Sequence, residues 1–159
     1  MFICLLTQTI FILDNFDYTI YTDGACLGNP GPGGWAAIII NNKLNKKEIR
    51  VGSEASSTNN RMELTAVIEA LNVIPSGKSS IIYTDSKYVI NGIESWIKKW
   101  KTNNWMGANK KQVKNKRLWI QLDIATSNGE VRWEWVKGHS GDQYNEEVDK
   151  LARSEAMKL

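Results

Sequence analysis

Histidine, cysteine and proline are scarce in this sequence: its 159 residues include one histidine, two cysteines and three prolines. The two cysteines, Cys4 and Cys26, cannot supply the disulfide framework of a small secreted domain, so we expect a reducing compartment, the cytoplasm. The three prolines and 12 glycines are too few for a fibrous or low-complexity chain. The length allows one domain with a hydrophobic core.

A hydrophobic run long enough to cross a membrane is also missing. Residues 1–13 include ten apolar residues and no charge, but this stretch is shorter than a membrane span and lacks the basic start and cleavage site of a signal peptide. We expect residues 1–14 to be an apolar N-terminal extension, either from an upstream start or as an added edge segment, with targeting as the alternative. Residues 15–159 should form a single domain, without a membrane partner.

Acidic side chains are absent from residues 95–122, which carry eight lysines and arginines. The rest of the chain therefore has 12 basic and 17 acidic residues, and the net charge of +3 conceals a basic segment on an acidic body. The basic segment predicts a polyanionic partner, and the acidic surplus predicts a separate site that gathers carboxylates.

The apolar pattern predicts an α/β fold, with an α+β-like mixed sheet. Residues 17–25 alternate as a strand, residues 28–34 form a turn-rich run, and residues 35–40 and a more polar stretch through 48–51 complete three antiparallel strands. A helix begins at Thr58 and ends at Pro75. The later elements are predicted as a strand at 80–84, a helix at 87–94, a helix around 118–125, a strand at 131–136 and a helix from about 144.

Three carboxylates occupy costly positions in these elements. Asp23 lies inside a strand, Glu63 shares the apolar side of its helix with Val67 and Ala70, and Asp85 follows directly on a buried strand. Burying an isolated charge is so costly that such groups must be paired, protonated or bound to a cation. Each acid alone is more often a solvated or salt-bridged residue, but their joint placement favours a site.

Asp149 is a fourth candidate, because it stands beside Val148 on the apolar side of the last helix. Ligand sets made of oxygen alone suit Mg²⁺ or Mn²⁺ better than zinc. The lone histidine, His139, lies between glycines on a loop before the last helix, where it is either a packed residue or a group that moves protons.

The basic segment interleaves cations with tryptophans, a pattern typical of nucleic-acid binding. The alternative is a helical outgrowth whose tryptophans form a satellite core, and the two interpretations are compatible. At the start of the first helix, Thr58 is a natural N-cap, and the free amides there can also hold a phosphate. We take as candidate contacts Trp96, Lys98, Lys99, Trp100, Lys101 and Trp119.

Several of these motifs resemble bacterial ribonuclease H of type 1. The similarity runs in order from about residue 17 to 156, over residues 21–34 (YTDGACLGNPGPGG), 58–64 (TNNRMEL), 83–86 (YTDS), 135–141 (WVKGHSG) and 145–152 (NEEVDKLA). The resemblance implies a ribonuclease H-like fold with a five-stranded mixed sheet flanked by helices. It also implies endonucleolytic cleavage of the RNA strand of RNA–DNA hybrids by a cytoplasmic monomer.

The resemblance also implies a role for each matching residue. Asp23, Glu63, Asp85 and Asp149 would hold two Mg²⁺ ions, with Mn²⁺ as a substitute, in an in-line displacement that leaves 5′-phosphate and 3′-hydroxyl ends. His139 would assist proton transfer and product departure. The remaining roles fall on substrate contacts: Asn29, Thr58, Asn59 and Asn145 would contact the hybrid, and residues 95–119 would form a basic protrusion that grips the DNA strand.

Two other functions share these features. A metal-dependent DNA nuclease or integrase-like enzyme would cut duplex DNA, duplex RNA and hybrid without preference. A binding module with structural acids would not cut any of them.

Overall fold

The computed structural model describes residues 15–138 and 141–159. The predicted extension, residues 1–14, lies outside this part of the chain. The strands are β1 (Tyr18–Cys26), β2 (Gly31–Asn41), β3 (Lys46–Ser57), β4 (Ser80–Thr84) and β5 (Val131–Trp135). The helices are α1 (Asn59–Asn72), α2 (Lys87–Asn91), α3 (Ile97–Thr102), α4 (Lys116–Thr126) and α5 (Gln143–Met157), with a π-helical turn (Gly92–Trp96) between α2 and α3.

The strands form one mixed sheet in the order β3-β2-β1-β4-β5. β1 pairs with β2, and β2 with β3, in antiparallel fashion, whereas β4 is parallel to both β1 and β5. This arrangement confirms the predicted mixed sheet with three antiparallel strands first. The parallel pairs require crossover connections, which α1 and the helical run from α2 to α4 provide.

Helices cover both faces of the sheet because successive strand residues point to opposite sides. In β2, Ala37 and Ile39 belong to a core that α1 and α4 complete, while Ala36 and Ile38 pack with Val148 of α5. The predicted apolar side of α1 is confirmed, since Glu63, Val67 and Ala70 are all buried. No helix in the described residues is long and apolar enough to span a bilayer.

Part of the predicted turn is in fact strand. Residues 28–34 were expected to form a turn-rich run, but β2 begins at Gly31, and Gly34 pairs with Ala25 of β1. A side chain at Gly34 would overlap the backbone of α5 at Ala152 and Ala156. The glycine therefore permits a close approach of helix and sheet, which a sequence pattern cannot distinguish from turn propensity.

The predicted helix at 87–94 also continues further than expected. The π-helical turn joins α2 to α3, so the helical run ends at Thr102. Its tryptophans contact one another and α4: the ring centroids of Trp96 and Trp100 are 5.9 Å apart, and those of Trp100 and Trp119 are 5.4 Å apart. This cluster joins the main core through Trp119.

Trp119 was expected to contact the nucleic acid, and the structure places it elsewhere. Its side chain has no exposed surface, and its Nε1 donates a hydrogen bond of 3.1 Å to the hydroxyl of Tyr88. A residue without exposed surface cannot touch a partner, so Trp119 supports the basic segment from within. The prediction of a direct contact is wrong for this residue because the interleaved pattern contains both inner and outer tryptophans.

We expect Trp119→Phe to lower the free energy of unfolding by about 1–3 kcal/mol, because it leaves a cavity and removes the hydrogen bond to Tyr88. Urea denaturation measures this change. Trp96→Phe, at a site that is 37% exposed, is the matched variant and should cost less than about 1 kcal/mol. Strongly weakened nucleic-acid affinity in a Trp119→Phe protein of unchanged stability would contradict the internal role.

Candidate metal centre and nucleic-acid interface

The strand register brings Asp23 and Asp85 to the same level of the sheet. In the parallel pair of β1 and β4, Tyr21 lies opposite Tyr83, so two residues further on Asp23 faces the position of Asp85. β4 ends at Thr84, while β1 continues to Cys26. Asp85 therefore begins the loop at the carboxyl end of β4, which is where open α/β sheets place their ligand sites.

Gly24 allows the third carboxylate to join them. A side chain at this position would overlap the backbone of Met62 and Glu63, so the absence of one lets the first turn of α1 press against β1. The start of α1 is fixed by Thr58, whose Oγ1 accepts a hydrogen bond of 3.2 Å from the backbone N–H of Arg61. The predicted N-cap is thereby confirmed, and Glu63 is carried to the side of Asp23.

The three carboxylates form a tight cluster. Each of Asp23, Glu63 and Asp85 offers an oxygen within 4.8 Å of the other two. Asp23 and Glu63 are buried, with 5% and 9% of their surface exposed, and Asp85 is half-buried. Among the described residues, Glu63 Oε2 has no hydrogen-bond partner although it is buried. A buried carboxylate oxygen without a partner is costly, so the cluster fits a cation ligand.

The electrostatics of the cluster agree with this interpretation. Burial, followed by the charge of Asp85, raises the pKa of Asp23 to about 7, although the N–H of Gly24 donates a hydrogen bond of 2.9 Å to its Oδ1. Burial and the charges of Asp23 and Asp85 also raise the pKa of Glu63 well above its ordinary value. Both shifts favour the protonated forms of Asp23 and Glu63 when no cation is bound.

The donor set fits a hard divalent ion. The cluster offers carboxylate oxygens and is open to a cavity of about 380 Å³. Oxygen ligands suit Mg²⁺ and Mn²⁺, and Mg²⁺ in particular is held by one or two carboxylates together with substrate phosphates. The residues that line the cavity are Asp23, Gly24, Ala25, Cys26, Leu27, Asn59, Glu63, Asp85, Asp149 and Arg153.

Asp149 lies in the same cavity but outside the cluster. It is not one of the three residues whose oxygens come within 4.8 Å of one another, although its charge contributes to the raised pKa of Asp23. Its Oδ1 accepts a hydrogen bond of 3.1 Å from Nε of Arg153. The structure therefore brings three of the four predicted carboxylates together and places the fourth beside them, paired with an arginine that sequence reasoning missed.

The predicted hybrid contacts at the helix starts lie at different depths. Asn29 Oδ1 accepts a hydrogen bond of 3.1 Å from the backbone N–H of Asn59, and Asn59 lines the cavity. Thr58 is half-buried as the N-cap of α1. Asn145 is buried in the first turn of α5, with 4% of its surface exposed. Contact with a partner therefore remains a prediction for these residues.

Three lysines of the basic segment are exposed on the helix that carries Trp100. Lys98, Lys99 and Lys101 are exposed on α3, while Trp100 packs against the core. Lys101 Nζ forms an ion pair of 3.0 Å with Oδ2 of Asp123 in α4. The inner aromatic side and the outer basic side thus coexist, as the sequence suggested. The lone histidine, His139, lies outside the described residues, and its role remains a prediction.

One further contact reaches the cluster from a residue that sequence reasoning missed. Trp135, at the end of β5, donates a hydrogen bond of 3.2 Å from its Nε1 to the backbone carbonyl of Asp85. The ammonium of Lys87 lies 5.0 Å from the centroid of the same indole ring. The parallel pairing of Thr84 with Trp135 brings the two strand ends together, and the sequence alone does not give this register.

Comparisons with known proteins agree on one family. The family model for RNase H matches residues 15–157. A ribonuclease H of Neorickettsia sennetsu is 55% identical over 144 residues, which cover 90% of this chain and 95% of that protein. A ribonuclease H of Wolbachia pipientis wMel is 58% identical over 134 residues, which cover 84% of this chain and 91% of that protein.

Solved structures show the same fold. LC9-RNase H1, described as a type 1 RNase H with the type 2 active-site motif, superposes with a TM-score of 0.78 at 31% identity, over 89% of this chain and 72% of that chain. A foamy viral protease-reverse transcriptase in complex with RNA/DNA hybrid gives a TM-score of 0.78 at 18% identity, over 92% of this chain and 21% of that chain. At that identity, the viral likeness concerns the fold alone.

The raised pKa of Asp23 predicts how pH affects stability without metal. The folded state holds a proton up to about pH 7, whereas the unfolded aspartate releases it near its ordinary value of 3.8, so this stabilisation is lost as the pH rises. We expect the free energy of unfolding in EDTA to fall by about 2–3 kcal/mol from pH 5 to pH 8 because of this group. Mg²⁺ should restore stability at pH 8 more than at pH 5.

Urea denaturation of wild type, Asp23→Asn and the exposed control Glu94→Gln measures this effect. Asp23→Asn should show a smaller fall than wild type, and Glu94→Gln should match wild type. An identical pH dependence in wild type and Asp23→Asn would contradict the assignment of the proton to the cluster.

Proposed function

Since the chain belongs to the ribonuclease H family, we propose that Asp23, Glu63 and Asp85 hold divalent cations at the point where the RNA strand of a bound RNA–DNA hybrid is cut. The family establishes the reaction, which is endonucleolytic hydrolysis of RNA in RNA–DNA hybrids. The observation that carries the proposal is the cluster itself. Three carboxylates meet within 4.8 Å, and one buried oxygen of Glu63 lacks a hydrogen-bond partner among the described residues.

Each carboxylate has a distinct part in this proposal. Asp23 and Glu63 are held by backbone packing at Gly24, so they provide the rigid side of the cation site. Asp85 stands at the end of β4, where the loop and the Trp135 hydrogen bond orient it. Asp149 faces the same cavity from α5 and is the fourth candidate ligand.

We propose Mg²⁺ as the cofactor, two ions per site, with Mn²⁺ as a substitute. When bound, two such ions supply charge stabilisation for the attacking water and for the leaving 3′ oxygen of an in-line displacement. The products are then a 5′-phosphate and a 3′-hydroxyl. In this proposal His139, which follows β5 and precedes α5 in the sequence, assists proton transfer and the departure of product.

The substrate contacts are proposed from position and charge. Asn59 lines the cavity, Asn29 accepts a hydrogen bond from its backbone N–H, and Thr58 caps the same helix start. Asn145 lies in the first turn of α5, and the exposed lysines of α3 carry the charge that a DNA backbone requires. Strand choice rests on the 2′-hydroxyl, the local feature that distinguishes RNA from DNA. Because backbone contacts carry no base information, sequence preference should be slight.

We also propose that residues 15–159 act as one catalytic domain and that the protein is a cytoplasmic monomer. The matched family region, residues 15–157, supports the first of these statements. The free thiol of Cys26 is consistent with a reducing compartment.

We expect Asp85→Asn to retain hybrid binding but to lose more than about a hundredfold in turnover. Substituting a residue that only hydrogen-bonds to a metal ligand already lowers metal affinity or activity by about 10–100-fold, and Asp85 is proposed as a ligand itself. Cleavage of labelled hybrid, duplex DNA and duplex RNA in parallel, with Glu94→Gln as the control, measures this effect. Cleavage by Asp85→Asn at the wild-type rate would contradict metal catalysis through this residue. Equal cleavage of all three duplexes would favour the alternative function, a metal-dependent nuclease without preference for hybrids.

The lysines of α3 should dominate the salt dependence of hybrid binding. We expect Lys98→Gln/Lys99→Gln to weaken affinity and to reduce the slope of log affinity against log salt by roughly one for each phosphate that the variant no longer neutralises. Lys101→Gln should have a smaller effect, because Asp123 already pairs with its ammonium.

Binding titrations at several salt concentrations, with a catalytically inactive Asp85→Asn background, measure these slopes. Lys43→Gln, an exposed lysine at the turn between β2 and β3, is the matched control and should leave the slope unchanged. An unchanged slope in the double variant would show that Lys98 and Lys99 do not neutralise phosphates, which would leave α3 with a packing role alone.

A further inference from the structure

The relation between Asp149 and the cluster suggests a role for its partner, Arg153. Asp149 lines the cavity with Asp23, Glu63 and Asp85, yet its oxygens do not belong to the group that meets within 4.8 Å. The contact that the structure shows for the carboxylate of Asp149 is with a neighbour on its own helix.

Arg153 supplies that restraint. Its Nε donates to Asp149 Oδ1 at 3.1 Å, and the two residues are one helical turn apart on α5. Acid before base at this spacing is the favourable order in a helix. The side chain of Asp149 is 24% exposed and that of Arg153 is 55% exposed, so the arginine forms the solvent side of the pair.

Helix geometry gives the direction of the restraint. The buried side of α5 carries Asn145, Val148, Ala152 and Ala156. Four residues advance a helix by roughly 40° beyond a full turn, so Arg153 lies further from this buried side than Asp149 does. The ion pair therefore draws the carboxylate of Asp149 along the helix surface toward solvent.

We propose that Arg153 is a positioning residue that holds Asp149 apart from the three-carboxylate cluster and competes with a divalent cation for it. The inference rests on the proposed function, because it assumes that the cavity takes such cations. A guanidinium bound to Oδ1 of Asp149 repels a cation that approaches either oxygen of the same carboxylate. The pair therefore keeps the Asp149-dependent cation site weak until the negative charge of a bound phosphodiester strengthens it.

Calorimetric titration with Mn²⁺, with free Mn²⁺ counted by electron paramagnetic resonance, tests this proposal without any activity measurement. Arg153→Gln should tighten the weaker site by about two- to fivefold, the range expected for an exposed ion pair. Arg153→Lys, which keeps the charge, should remain near wild type. Lys150→Gln removes one positive charge from an exposed neighbouring position on α5 and should change the affinity by less than about twofold.

A double-mutant cycle completes the test. In the Asp149→Asn background, Arg153→Gln should no longer change Mn²⁺ affinity. The same gain in that background, or a gain no larger than that of Lys150→Gln, would overturn the role of Arg153. If wild type binds Mn²⁺ only weakly and without dependence on Asp23 or Glu63, the proposed cation site itself fails. If Mn²⁺ binds at the cluster but Asp149→Asn has no effect, only the inference about Arg153 fails.

Discussion

Repulsion among three carboxylates is the constraint on which the rest of this molecule depends. Asp23 and Glu63 are buried within 4.8 Å of each other and of Asp85, and burial together with this proximity raises the pKa of both. The fold supplies the energy for this arrangement through the two cores on either side of the sheet. Destabilised functional sites of this kind are common where ligand binding provides the compensation.

The sequence predicted much of the fold and all three carboxylates of the cluster because the relevant signals are local. Period-two alternation predicted the strands, and the apolar side of α1 identified Glu63 as a charge in a core position. The position of Asp85 after a short apolar strand indicated the carboxyl end of the sheet. These inferences needed no knowledge of distant contacts, since each element carries its own pattern.

The remaining features depend on contacts between distant segments. β2 begins inside the run that was predicted as a turn, because Gly34 packs against α5. That helix lies more than a hundred residues later in the chain. Trp119 could not be separated from Trp96 by composition, since burial depends on which side of each helix meets the core. The pairing of Asp149 with Arg153 was visible as an i, i+4 spacing, but its place beside the cluster was not.

The contact at Gly24 also determines how the site responds to change elsewhere in the molecule. The backbone of Gly24 packs directly against the backbone of α1 at Met62 and Glu63. Because no side chain lies between them, a change of rotamer cannot alter their separation. Substitutions in the two cores should therefore change the free energy of unfolding but leave the distance between the carboxylates of Asp23 and Glu63 constant. The distance between these two carboxylates is thus set by one strand–helix junction and not by the hydrophobic residues around it.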